Sequence, residues 1–229
     1  MKLLSYGPEP YASANSAISA STFILYNNLR KSQAFFENFF IFFSQCPIHQ
    51  SAAPAHSMKY QGKERNVNMQ EVSYNRTAAV SYAKEWALGR NPAYYDFGGI
   101  GGDCTGFISQ SIFAGSGVMN YTPTFGWYYI SANDRSPSWT GVQYLYNFLT
   151  QNDGVGPYGA EVPRGSAQLG DVVQLGRHSG EFYHSLMICG FRQGRILICA
   201  HSDDALMRPL SSYRAERLRF IHIQGVRAD

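Results

Sequence analysis

The sequence predicts an α+β domain in which helices come first and an antiparallel sheet follows. Two helical apolar stripes lie between residues 73 and 115, and four short β-rich runs divided by turn residues fill the C-terminal third. Gln193-Gly194 joins two of those runs as a hairpin turn would. Helical and strand patterns segregated along the chain in this way mark the α+β class.

The first helix follows from Tyr74, Ala78, Ala79, Tyr82, Ala83 and Trp86, which recur at helical spacing; Gly89 to Pro92 ends it. A loop rich in Tyr and Gly comes next. The run opening at Cys104 puts Phe107, Ile108, Ser111 and Ile112 on one side of a second helix, stopped near Gly115. Between 120 and 168 the spacing supports one helix, Thr140 to Thr150. Strands are expected at Asp171-Val-Val-Gln-Leu, His184-Ser-Leu-Met-Ile-Cys, Ile196-Leu-Ile-Cys-Ala and Arg219-Phe-Ile-His-Ile.

Residues 1–72 read differently and are set apart as an N-terminal extension to a domain at 73–229. Ser/Ala/Asn-rich patches surround a cluster of six Phe between Phe35 and Phe43, and a polar stretch runs from Gln50 to Asn68. Three readings stay open: an unstructured segment, an amphipathic helix near 29–44, or a start-site artefact with Met58 or Met69 as the natural start. No secretory signal or membrane span is visible, since the densest apolar stretch is Phe35–Phe43 and contains Glu37 and Asn38, whereas a span needs about 20 apolar residues. The default expectation is a cytoplasmic protein, extracellular only if the N-terminus is mis-assigned or export is non-standard.

Over its 229 residues the chain is 45% apolar, enough for a sizeable core, and its net charge of +3 is spread without any Lys/Arg run. Nucleic acid is therefore not an expected partner. No two of its four cysteines have the CxxC spacing of zinc or redox motifs. Cys189 and Cys199 sit in apolar runs, where a thiol behaves as a small hydrophobe. Cys104 is flanked by Gly, Asp and Thr.

Cys104 falls where a Gly loop becomes a helix, the position at which the helix dipole stabilises a thiolate. Asp103 is the natural N-cap, and Asp103 and Thr105 belong to the loop whose backbone N–H groups can serve as an oxyanion hole. A thiolate needs a base and the base an orienting group. His184 begins one strand run and His201 ends the next, so a hairpin between them brings both to the same open end.

Together these residues carry a resemblance. Gly102-Asp103-Cys104-Thr105-Gly106-Phe107, Leu169-Gly170-Asp171-Val172-Val173 and His184 opening an apolar strand resemble the NlpC-like and CHAP-like hydrolases of the papain-like superfamily. The run Tyr74-Asn-Arg-Thr-Ala-Ala-Val-Ser-Tyr-Ala, with Asn91-Pro92, Ser109-Gln110, Trp127-Tyr128-Tyr129 and Ser138-Trp139, is similar to the putative amidase domain family of bacteria, over about residues 73–224. The chain departs at Gly106, where several relatives of the amidase domain prefer Asn. The resemblance implies a papain-like core, Cys104 as nucleophile and His184 as base. The third member is His201, with Asp203 as its rival, and no cofactor is involved. It also implies a peptide or peptidoglycan-derived amide as substrate, held in a cleft that Tyr95, Trp127 and Trp139 could line. Two other readings stay open. One is an inactive peptide- or wall-binding module of the same fold; the other is a zinc site built from Cys104, His184 and His201 with Asp103 or Asp203.

Overall fold

The computed structural model describes residues 69–229. The expected readings of the Phe cluster and the polar stretch after it lie outside the described residues. A short strand, β1 (Gln70–Val72), lies ahead of residue 73 and pairs with the last strand of the sheet.

Helix α1 (Arg76–Trp86) begins where Asn75 Oδ1 accepts from the Ala78 N–H at 3.0 Å, a side-chain cap that satisfies one of the orphan donors of the first turn. It buries Ala79, Val80 and Ala83. Helix α2 (Cys104–Ser116) is buried on nearly every side, from Thr105 through Ile112 and again at Gly115, and not along the one stripe its spacing suggested. Its polar residues survive burial by pairing: Ser111 Oγ donates to the Phe107 carbonyl, and Gln110 Oε1 accepts from the Tyr82 hydroxyl.

The helix stops near Gly115, as expected, with Ser116 its last residue. Gly115 lies inside α2 because a Cβ there would come within 2.5 Å of the Tyr74 ring and 2.8 Å of the Asn75 carbonyl oxygen. Gly117 follows, and its φ of 65° is the left-handed cap that glycine supplies without strain.

A small hairpin, β2 (Tyr129–Ser131) with β3 (Asp134–Arg135), leads into α3 (Pro137–Thr140) and α4 (Val142–Gln151). The single helix expected at 140–150 is thus split at Gly141. Strand β4 (Gly156–Val162), which the sequence did not signal, pairs with β9 (Arg217–Ala228). The four expected strands are β5 (Val172–Gly176), β6 (Phe182–Arg192), β7 (Arg195–Ala200) and β9; β8 (Ala205–Pro209) joins β7. The sheet order is β1-β9-β5-β6-β7-β8, with β4 on β9, and every pairing is antiparallel. Gln193 and Gly194 both have positive φ, the mirror-image turn that matches strand twist, and they close the β6–β7 hairpin as expected.

Strand pleating divides the buried residues between two cores. Val172, Met187, Cys189, Cys199, Ile221 and Ile223 face the helices, packing with Phe107, Ile108, Ile112, Leu145 and Leu149. Val173, Leu175, Leu186, Ile188, Ile196, Ile198 and Phe220 face the other way, covered by Leu210, Tyr213 and Val162. Cys189 and Cys199 are free thiols in the helix-facing core; their mutual hydrogen bond and burial push the Cys189 thiol up.

Candidate functional site

The approach to Cys104 is shaped by Gly101 and Gly102, with φ of 88° and 107°. Gly102 passes so close to the 201–204 turn that a Cβ would meet Ser202 Oγ at 3.1 Å, and the next N–H, of Asp103, donates to that hydroxyl at 2.9 Å. Asp103 occupies the N-cap position but makes no capping bond. Its carboxylate turns away to His201 Nδ1 at 2.7 Å, with Arg90 Nε at 3.6 Å and the Phe97 N–H at 3.4 Å. This corrects the capping role expected of it. The first turn of α2 therefore begins at Cys104 with no side chain satisfying its N–H groups. Gly106 has its reason here too, since a Cβ would press on Asp103 Oδ1 at 3.0 Å.

His201 is fully committed. Nδ1 meets Asp103, Nε2 meets the Trp86 carbonyl at 2.8 Å, and the ring stacks on Phe107 at 3.9 Å. With both ring nitrogens engaged, His201 has no free position from which to orient His184. The buried Asp103–His201 pair instead ties the start of α2 to the end of α1.

His184 is 9% exposed, and its Nε2 is buried without a hydrogen-bond partner among the described residues. Burial pushes its pKa down to about 4, with Asp203 opposing the shift and Arg208 adding to it. Its ring lies 6.0 Å from that of Tyr213. Asp203, the rival orienting group, is paired with Arg208 and acts on His184 only through its field.

Cys104 is 8% exposed, and its sulfur contacts Thr105 Oγ1 at 3.7 Å. No hydrogen bond joins it to His184. The neighbours of the two residues do bond: Thr105 Oγ1 and Ser185 Oγ are 3.1 Å apart. That bond sets Ser185 toward α2, and the pleat sends His184 to the opposite face, across from Leu175.

Two of the three expected cleft residues belong to the core. Trp127 and Trp139 are fully buried with ring centroids 5.0 Å apart, and Trp127 Nε1 donates to Ser109 Oγ. Large aromatic surfaces gain more from packing than from lining a wet cleft. Tyr95, at 45% exposed, remains at the surface. Among the described residues no three His, Cys, Asp or Glu side chains are grouped to hold a metal ion, so the zinc reading finds no ligand set.

Two polar groups carry no spacing signal. Asp171 of the Leu-Gly-Asp-Val-Val run is fully buried and accepts from Arg76 at 2.6 Å, His222 at 2.9 Å and the Gln168 N–H at 2.8 Å. Gln174, Ser185 and Arg219 stand side by side across β6, β5 and β9. The one available hint was a glutamine inside the otherwise apolar Val-Val-Gln-Leu strand.

The chain matches, over residues 73–224, the family described as "Putative amidase domain". The chain belongs to this putative amidase domain family. The family's description is that of a hydrolase acting on amide bonds. A curated relative, "Uncharacterized protein YhbB" of Bacillus subtilis (strain 168), is 30% identical over 151 residues, which cover 64% of this chain and 47% of the relative. The chain thus spans about half the length of that relative. No solved structure matches. None of the amidase domain's described helices is long and apolar enough to cross a membrane.

Proposed function

We propose that the domain is a cysteine amidase of papain-like arrangement, acting on peptide or peptidoglycan-derived amides through a thioester. The supporting observation is that Cys104 is the first residue of a helix whose N-terminal N–H groups are left without a side-chain cap. The free N–H groups there suit the oxyanion that forms as the sulfur attacks.

His184 takes the Cys104 thiol proton as the sulfur adds to the carbonyl carbon, and the C–N bond breaks as the leaving nitrogen takes that proton back from His184. Water then adds to the thioester with His184 accepting its proton, and the thiolate leaves. His184 suits the basic role because burial keeps it neutral at pH 7 and no described residue bonds its Nε2. Since His184 leaves β6 on the face opposite Ser185, proton transfer requires its side chain to swing at the start of that strand.

The lack of a direct thiol–imidazole bond, and of an orienting partner for His184, favours a second reading: a module that binds peptides or wall fragments without cleaving them. Muropeptides and amidated peptides incubated with the full chain separate the two. Amide cleavage by wild type, lost in Cys104→Ala with an unchanged melting temperature, supports the amidase. Binding without cleavage, or full activity in Cys104→Ala, overturns it.

A further inference from the structure

Arg219 is 6% exposed, with its guanidinium 3.7 Å over the Tyr146 ring and 3.8 Å over that of Phe182. Among the described residues no carboxylate is bonded to it. Its Nε donates to Gln174 Oε1 at 2.7 Å and its Nη2 to Gln143 Oε1 at 3.2 Å. Guanidinium only donates. That fact fixes the direction of every hydrogen bond beyond it.

Gln174 must present oxygen to Arg219 and NH2 to its other neighbours. The opposite end agrees, because Nε2 meets the Val142 carbonyl, an acceptor only, at 2.9 Å. Nε2 also donates to Ser185 Oγ at 3.1 Å. Ser185, itself fully buried, then has one hydrogen to place, and its remaining partner is Thr105 Oγ1 at 3.1 Å. Were Thr105 to donate to Ser185 instead, the serine hydrogen would be buried with no acceptor, a cost of the order of a lost hydrogen bond. Ser185 therefore donates to Thr105. The Thr105 hydrogen is left for Cys104 Sγ at 3.7 Å.

We propose that Arg219, through Gln174 and Ser185, is a positioning residue that holds the Thr105 hydroxyl as a donor to the Cys104 sulfur. A thiolate accepts such a bond far better than a thiol, so the chain of donors favours the attacking form, each link polarising the next. The inference rests on Cys104 being the nucleophile.

The test is the rate of Cys104 alkylation by iodoacetamide in the full chain, followed by mass spectrometry of the Cys104 peptide, with Cys104→Ala as the blank and glutathione as the reference thiol. Wild type should react faster than glutathione at pH 7. Thr105→Val should slow it about tenfold, and Gln174→Glu, which loses the N–H given to Ser185, by a similar factor. Thr105→Ser, which keeps the hydroxyl, should restore the rate. The deficit of Thr105→Val should shrink as the pH rises to about 9.5, where thiolate forms without help; a purely structural lesion would lower the melting temperature and leave this profile alone. If Arg219→Met fails to fold, Thr105→Val and Gln174→Glu still decide. A fast wild type with unchanged Thr105→Val and Gln174→Glu rates overturns the relay and spares the nucleophile. A wild-type Cys104 no faster than glutathione overturns both.

Discussion

Replacing His184 with Asn removes one titration from the folded state and leaves a polar group of similar reach. The wild-type imidazole is pushed down to about 4 by burial, against an unfolded value near 6.5. Between those values the unfolded chain holds a proton that the folded chain refuses. The stability this group contributes is present above pH 6.5 and is lost as the pH falls through the window toward 4. From the two values, wild type should lose about 2 kcal/mol more than His184→Asn between pH 7 and pH 5, and about 3 kcal/mol more by pH 4. Urea denaturation of both proteins at each pH measures the difference. Asp203 partly offsets the burial, so Asp203→Asn should steepen the wild-type loss, whereas Arg208→Met, which removes a like charge, should soften it. Equal pH slopes for wild type and His184→Asn would show that His184 is protonated freely in the fold, and the argument for a neutral, available base would fail.

Gly115→Ala would ordinarily strengthen a helix by about 1 kcal/mol, but here the new Cβ meets the Asn75 carbonyl and the Tyr74 ring. The melting temperature should fall, by the equivalent of about 1–3 kcal/mol, and a rise would refute the packing described at the α1–α2 contact. Asp171→Ala leaves Arg76 and His222 without their buried acceptor and should cost about 3–5 kcal/mol in urea denaturation. A chain beginning at Met69 keeps β1 and its pairing with β9, and should unfold in one cooperative transition with the activity of the full chain. Loss of solubility on that truncation would show that the earlier residues support the domain.

Much of the scaffold was legible because local rules carry it. The 3.6-residue stripe from Tyr74 to Trp86, the apolar runs at 172, 184, 196 and 219, and the Gln193-Gly194 turn each depend on neighbours a few residues away. Cys104 at a loop-to-helix junction was legible for the same reason. Strand β4 was not, because Gly156–Val162 is held by its partner β9 more than by its own propensity.

The site departs from the sequence reading wherever a long-range partner decides a side chain's direction. Asp103 looked like a cap, but His201 and Arg90, distant in sequence, draw its carboxylate away from the helix. Trp127 and Trp139 looked like a cleft, but packing against each other removes their full surface from water. His184 and His201 do come to one end of the hairpin, yet a strand's two faces alternate residue by residue. The contact between Thr105 and Ser185 therefore settles which way His184 points. By itself the sequence determined the order and type of most elements and the placement of Cys104 at the head of α2, because those follow from periodicity and turn chemistry. Only the tertiary structure decided which polar groups meet there, since the Arg219–Gln174–Ser185–Thr105 chain joins three strands and a helix whose register no local pattern encodes.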